Sequence, residues 1–370
     1  MAEPLKNLLN EDAIRWLADS LASAYPGFDH GGFCRAAMVG LSQLELKPRA
    51  AHIARCMERF LPPHFPEAAR IVAASLGPVV DATGENGISA LRYFVHDSFI
   101  EQFGLEHPAD AFTLQFEVTK RASCEFSIRA FLLRHPEKTY AQMQAWARSD
   151  DAHHRRLASE GIRPRLPWAQ RLPQFVENPA PVIAILELLK DDPVRYVQRS
   201  VANNINDISK DHPELAVQLC ERWLEGASES RQWIVKHALR DLVKKGHSGA
   251  LALMGGGGKP EISVSDIKLS SANPRIGDRF SFAVAIGSTA QMPQDLIVDF
   301  VVHYVKANGK TAPKVFKLGK IRLKPGEKQT MRGSMSLADM TTRKHRPGQH
   351  RLSLQVNGQP FELANFELLA

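Results

Sequence analysis

The 370-residue sequence predicts a mainly α protein whose helical solenoid is followed by a C-terminal all-β sandwich. Three observations carry that expectation. Apolar residues recur at spacings of three and four over nearly all of residues 1–250, which is the helical period. Helical segments repeat along that stretch at shifts of 77 and 34 residues. After the glycine-rich run Gly255–Pro260 the period changes to two, the signature of strands.

Taken in order, EDAIRWLADSLASAY, GFCRAAMVGLSQL, KPRAAHIARCMERFL and FPEAARIVAASLG each bury one face. Pro26-Gly27, Pro62-Pro63, Gly77-Pro78 and His107-Pro108 separate the segments. ISALRYFVHDSFIEQFG and PADAFTLQFEVTKRASCEFSIRAFLLRHP continue the pattern, the second read as helical through KRASCEFSIRAF. HPEKTYAQMQAW at 135–146 aligns with HPELAVQLCERW at 212–223, and VANNINDISK at 201–210 with VKHALRDLVK at 235–244. Helix pairs repeating at periods in the thirties indicate a HEAT-type solenoid, because one pair alone cannot bury its apolar face. The inner helices of such an array line a concave surface. Asp192-Pro193 is expected to cap and open the helix PVRYVQRSVANNINDISKDHP. Asn203, Asn204 and Asn206 are poor helix formers. They are either surface hydrogen-bonding groups or a buried ladder stabilising the array.

EISVSDIKLS, RFSFAVAIGS, DLIVDFVVHYVKANG, KVFKLGKIRLKPG, KQTMRGSMSLAD and QHRLSLQVNGQ read as strands, with Asn-Gly twice at hairpin positions. About seven short strands suggest an antiparallel sandwich of immunoglobulin-like type. HRPGQHRLSLQV resembles the corner of that fold, with His350 where tyrosine is usual. The expected division is residues 1–254 helical, 255–260 a flexible linker, and 261–370 sandwich.

Hydrophobic content of 44% and charged content of 24% are those of an ordinary globular protein. No apolar run approaches the roughly 18 residues of a membrane span. The N-terminus lacks the apolar core of a signal peptide. Cys34, Cys56, Cys124 and Cys220 form no CxxC pair, so a reduced, cytoplasmic protein is expected. His30 and His153-His154 lack partners at metal-ligand spacing, and the adjacent pair reads as surface histidines. The net charge of +7 is uneven. Residues 255–370 hold 17 Lys/Arg against 9 Asp/Glu, and residues 119–172 hold 11 against 5. Two basic zones suit one polyanion gripped at two places, though basic tails also simply confer solubility. In the tail the cations gather at Lys306–Lys324 and at Arg343-Lys344-His345-Arg346, a turn that either reaches a phosphate backbone or is an ordinary solvated loop.

Function is expected in Asp150–Trp168, DDAHHRRLASEGIRPRLPW. Arg156 and Glu160 fall four apart on one helical face, a turn follows at Gly161 and Pro164, and Trp168 comes next. The competing reading is a solvated helix end with a surface ion pair. The preceding helix is expected to show Arg121, Glu125 and Arg129 on one face. The next offers Arg199, Asn203, Asn206, Asp207 and Lys210, and the last Trp233, Lys236, His237, Arg240 and Lys244. The 77-residue shift lays Glu160 on His237.

HHRRLASEGIRPRLPW, RSVANNINDISKDHP and WIVKHALRDLVKKG together resemble the bacterial AlkC alkyl-DNA glycosylases. These are HEAT-like proteins that, unlike their AlkD relatives, carry an appended immunoglobulin-like domain. The resemblance covers the whole chain. It implies base excision repair, with removal of positively charged N3-alkylated bases, 3-methyladenine and 3-methylcytosine, without full base flipping. It places Glu125, Glu160, Arg156 and Trp168 at active-site positions, and Arg199, Asp207 and His237 near DNA; AlkD-type relatives carry an aromatic residue in place of His237. The expected catalytic residues are Glu125, Glu160 and Trp168. The expected DNA contacts are Arg121, Arg156, Arg199, Asn203, Asp207, Lys210, Trp233, Lys236 and His237, joined by Arg343, Lys344 and Arg346 in the tail. The partner is then double-stranded DNA with alkylated bases or abasic sites, met by a monomer needing no cofactor or metal and no membrane. A non-catalytic HEAT-repeat DNA scaffold and an AlkD-like 7-methylguanine glycosylase are the other readings.

Overall fold

A computed structural model describes residues 4–80, 88–340 and 343–370. The described residues hold sixteen α-helices followed by seven strands. The first helices are α1 (Glu11–Ala24), α2 (His30–Met38), α3 (Leu46–Phe60), α4 (Phe65–Ala74), α5 (Phe94–Phe103) and α6 (Pro108–Thr119). Next come α7 (Ser127–Arg134), α8 (Pro136–Trp146), α9 (Ala152–Glu160), α10 (Pro173–Glu177) and α11 (Ala180–Leu189). The last are α12 (Arg195–Ile208), α13 (Pro213–Leu224), α14 (Glu229–Ala238), α15 (Arg240–Lys244) and α16 (Ser248–Leu253).

The repeat is physical as well as textual. Helices α6, α8 and α13 each start on a proline after a histidine, and His107, His135 and His212 share φ values of −127°, −132° and −131°. Proline at a first helical position forfeits no hydrogen bond, since that N–H has no partner within the helix. The His135 and His212 rings each donate through Nε2 to a backbone carbonyl 30 and 36 residues earlier, Leu105 O and Val176 O, both at 2.7 Å. The helix starts at α8 and α13 are thus docked by the same device.

Three expectations about helices are corrected. KRASCEFSIRAF is not one helix, because residues 120–126 form turns and α7 begins only at Ser127. Asp97 of α5 reaches across to accept the Ser127 N–H at 3.1 Å, which sets that start. Arg121, Glu125 and Arg129 therefore share no helix face. Helix α12 opens at Arg195, not at Pro193, since Asp192 accepts from Val194 N at 2.9 Å while its carboxylate pairs with Arg155 at 2.6 Å. VKHALRDLVK is interrupted at Leu239, between α14 and α15.

The asparagines explain how neighbouring helices end. Asn204 donates to Ser159 O at 2.8 Å, in the last turn of α9, and Asn206 donates to Ala238 O at 2.9 Å, the end of α14. Terminal helix carbonyls lack internal donors, so α12 closes the helices on both sides of it. The buried-ladder alternative describes these two residues. His153 and His154 are buried rather than on the surface, bonded to Val80 O and to Phe116 O and Ser149 Oγ. Both nitrogens of His154 are thereby used, and its ring stacks on Phe116 at 3.5 Å.

The strands are β1 (Ile262–Leu269), β2 (Arg279–Ser288), β3 (Gln294–Val305), β4 (Thr311–Leu323), β5 (Lys328–Ser336), β6 (Gly348–Val356) and β7 (Gln359–Leu368). They form two antiparallel sheets, ordered β1-β2-β5 and β4-β3-β6-β7, around a core that includes Phe280, Phe282, Val298, Phe300, Leu352 and Phe366. Asn357 and Gly358, at φ 44° and 79°, make the two-residue β6–β7 hairpin, the backbone that Asn-Gly favours. His350 fills the corner position from inside. Its Nε2 accepts from Val305 N at 3.4 Å, Nδ1 then donates to Gly348 O at 2.9 Å, and the ring stacks on Phe366.

The chain divides into two compact units. One runs to His212 and adds Arg222–Ala238; the other joins Pro213–Glu221 to Leu239–Ala370. The glycine-rich stretch lies inside the second unit and is tied down there, in place of the flexible link expected. Asn357 donates to Gly257 O and Gly258 O at 3.0 and 3.2 Å, and Gly257 N donates to Asp295 O at 3.0 Å. No helix among the described residues is long and apolar enough to cross a membrane.

Candidate active site

Helix α9 starts at a cap, Asp151 accepting from His153 N at 2.8 Å, and runs one face past Arg156 to Glu160. Gly161 lets the chain leave, since a Cβ there would meet Ile128 Cγ2 at 2.5 Å. The surface ion pair is instead the middle of a buried chain of alternating charges. Arg156 Nη1 donates to Glu125 Oε2 at 2.6 Å, and Nη2 lies 3.5 Å from Glu160 Oε1. Glu160 Oε1 accepts from Arg163 Nη1 at 2.6 Å, and Arg163 Nε donates to Asp207 Oδ2 at 2.8 Å. Lys210 closes the chain on Asp207 Oδ1 at 2.8 Å. Breaking such a buried pair is strongly unfavourable, because the charge left behind has no solvent.

The two glutamates sit on one guanidinium but differ in surroundings. Glu160 is buried, with Ser200 Oγ donating to its Oε2 at 2.5 Å, so both of its oxygens are taken. Burial would raise its pKa; the Arg156 and Arg163 guanidiniums and Ser200 outweigh that and hold it below the usual carboxylate range. Glu125, in the turn before α7, is the more open carboxylate, its side chain 17% exposed against 7%. Burial works against the Arg156 charge, yet Glu125 and Glu160 hold its pKa above the ordinary value. Tyr196 lies under that guanidinium, 5.1 Å from its ring centre.

Trp168 follows on the loop after Gly161. Its φ of 64° is left-handed, a region costing a bulky residue about 1–2 kcal/mol, and the residue is 64% exposed. Lys47 of α3 donates to the Trp168 carbonyl and also lies 4.1 Å from the Phe126 ring centre. One ammonium thus bridges the Trp168 backbone and the Phe126 ring of the turn that carries Glu125.

The remaining expected residues divide by exposure. Arg199, Lys210 and Lys236 are exposed, Asn203 and His237 half-buried. Trp233 stacks on His237, ring centres 4.9 Å apart, and the Arg195 guanidinium lies 4.0 Å from the Trp233 ring centre. Arg121, Arg156 and Asp207 are turned inward onto protein partners. Arg121 donates to Gly77 O, Glu117 O and Glu117 Oε2, and Asp207 is 1% exposed. In the sandwich, Arg343, Lys344 and Arg346 border a cleft of about 460 Å³ with Lys306, Lys314 and the buried His345. Arg343 lies over Tyr304 at 5.0 Å. Sequence reasoning missed Arg163, Ser200, Tyr196 and Lys47. Arg163 stands three residues after Glu160 and was legible; the others come from 36 to 113 residues away in the chain.

Residues 121–242 match the family described as DNA alkylation repair enzyme, and residues 263–370 match the C-terminal Ig-like domain of uncharacterised protein YhaZ. The Bacillus subtilis (strain 168) protein YhaZ is 35% identical over 98% of this chain and 99% of its own. A solved Pseudomonas fluorescens structure, alkylpurine DNA glycosylase AlkC bound to DNA containing an abasic site analog, superposes with TM-score 0.90. It is 37% identical, with 100% of both chains covered. The chain belongs to the AlkC-type DNA alkylation repair enzymes, HEAT-like helical proteins with a C-terminal immunoglobulin-like domain.

Proposed function

We propose that this protein is a monofunctional DNA glycosylase that hydrolyses the N-glycosidic bond of cationic N3-alkylated bases, 3-methyladenine and 3-methylcytosine, in duplex DNA. The observation that carries this is one guanidinium, Arg156, held between Glu125 and Glu160, with the exposed Trp168 on the loop that follows Glu160. A base alkylated at N3 already carries a positive charge and departs as a neutral group, so no acid is needed to protonate it. The barrier lies in the oxocarbenium-like sugar, which a nearby carboxylate stabilises. Glu125, the less encumbered acid, faces the sugar and positions or deprotonates the attacking water. Glu160, fully engaged and ionised, fixes Arg156 and through it Glu125. Trp168 lies against the sugar or the cationic base, an interaction of about 0.5–2 kcal/mol. A lesion read by its charge and weakened bond requires no full extrusion of the base. The division of labour is a DNA-binding and catalytic helical region, residues 1–254, assisted by cations of the 261–370 sandwich.

The test is single-turnover base release from methylated duplex DNA with the products resolved. Glu125→Gln is expected to slow 3-methyladenine release by roughly 10²-fold or more while abasic-DNA binding is nearly kept. Unchanged release would remove Glu125 from the chemistry. Release of 7-methylguanine alone by the parent protein would instead assign AlkD-like specificity, and salt-dependent binding without any product would make it a scaffold.

A further inference from the structure

We infer that Lys47 and Arg129 are positioning residues that hold the Trp168 loop in its extended-indole conformation, so that the ring is presented to DNA before DNA arrives. The inference rests on the role given to Trp168 above. Three locally unfavourable choices meet at this loop. Trp168 adopts a left-handed backbone, and the residue is 64% exposed although aromatic residues are ordinarily largely buried. Arg129, 3% exposed, donates to backbone carbonyls and, among the described residues, to no carboxylate, whereas buried arginines are normally paired. Such conflicts persist only where surrounding structure over-determines the conformation, and they gather at functional sites.

Both cations do that over-determining. Arg129 Nη1 donates to Gly161 O at 2.9 Å and Arg163 O at 2.8 Å, while Nε and Nη2 donate to Gln170 O at 2.9 and 2.5 Å. The start and end of the loop are therefore gathered on one rigid fork. Lys47, on the exposed first turn of α3, takes the carbonyl of Trp168 itself, at the residue where the backbone turns left-handed. The fork fixes the loop's ends and the ammonium fixes its apex. Arg129 also holds the Arg163 backbone, whereas Lys47 meets the loop at the Trp168 carbonyl, so Lys47 is the residue whose effect isolates Trp168.

A double-mutant cycle in the full-length protein tests this. Trp168→Ala and Lys47→Met are each expected to slow 3-methyladenine release by about tenfold or more, a misplacement effect. Combined, they should be no slower than Trp168→Ala alone, because Lys47 has nothing left to position. Lys47→Arg should restore most of the rate, and Arg129→Lys should behave as Lys47→Met does. Because Lys47 is exposed, its variants test the idea even if Arg129→Lys fails to fold. The logarithmic salt dependence of binding to abasic DNA should be unchanged in Lys47→Met. A slope smaller by about 0.9 would overturn the inference by making Lys47 a phosphate-binding residue. Additive losses in the double variant would also overturn it, as would a slow Trp168→Ala beside an unaffected Lys47→Met. If Trp168→Ala releases base at the parent rate, the catalytic reading of Trp168 fails first, and the positioning role fails with it.

Discussion

The helical unit and the sandwich treat buried charge in opposite ways. Near Glu160 the helical unit buries a continuous chain in which each carboxylate touches a cation, Glu125–Arg156–Glu160–Arg163–Asp207. The sandwich core is built of apolar side chains, Phe280, Phe300 and Leu354 among them, while Lys306, Lys314, Arg343, Lys344 and Arg346 line an open cleft beside Tyr304. An apolar core supplies stability without fixing the place of any charge. A buried ionic chain contributes less stability than well-packed apolar groups, but it holds each charge in one position in a low-dielectric surrounding. The contrast fits the proposal above, in which the chemistry belongs to the helices and the sandwich contributes to affinity.

Three further measurements probe that contrast. The largest effect is expected at Glu160. Glu160→Gln leaves Arg156 and Arg163 short of counter-charge and should cost about 3 kcal/mol of stability as well as activity. The folded-state pKa of Glu160 is depressed, so its stabilisation is present above the ordinary carboxylate pKa and is lost as pH falls through the folded value. Thermal unfolding of parent and variant should therefore converge in acid; a constant gap across pH would contradict the ionic account.

Asp97 is expected to show the reverse sign with a smaller effect. Burial, with smaller contributions from the Glu101 and Glu125 charges, raises its pKa to about 7 against the lowering effect of its hydrogen bonds with Ser127. The folded protein then binds this proton more tightly than the unfolded chain, and stability declines as pH climbs from near 4 toward 7. Asp97→Asn keeps an acceptor for the Ser127 N–H and should remove that decline, visible as a melting temperature that no longer drops by a few degrees between about pH 5 and 8. The smallest effect belongs to the sandwich rim. Replacing Arg343, Lys344 and Arg346 by alanine should flatten the salt dependence of DNA binding by at most about 0.9 for each phosphate no longer neutralised, and leave base release at saturating enzyme unchanged. A slowed chemical step would put the sandwich inside the reaction and break the contrast.

Much of this was legible because it is local. The periods of 3.6 and 2, the His-Pro helix starts and the Asn-Gly hairpin are written within a few residues of where they act. The Arg156–Glu160 pair at one helical turn was legible for the same reason. What escaped was decided at a distance. Asp97 starts α7 from 30 residues away, which put Glu125 in a turn rather than on a helix. Ser200 and Asp207 reach the site from another helix and turn a surface pair into a buried chain. Arg121 carried the composition of a DNA-binding residue, but its guanidinium is engaged by Glu117 and Gly77. The glycine-rich run suggested a loose tether, and one asparagine, Asn357, pins it from a hairpin 99 residues on.

Asn204 and Asn206 make α12 a fixed gauge between two ends of the array. They sit two positions apart on one helix, so the offset between the α9 terminus bearing Glu160 and the α14 terminus bearing His237 is dictated by α-helical rise, about 1.5 Å per residue, and not by loop length. Insertions in the connections between these helices can accumulate without moving the acid relative to the stacked Trp233–His237 pair, whereas a single residue inserted inside α12 would shift both termini at once.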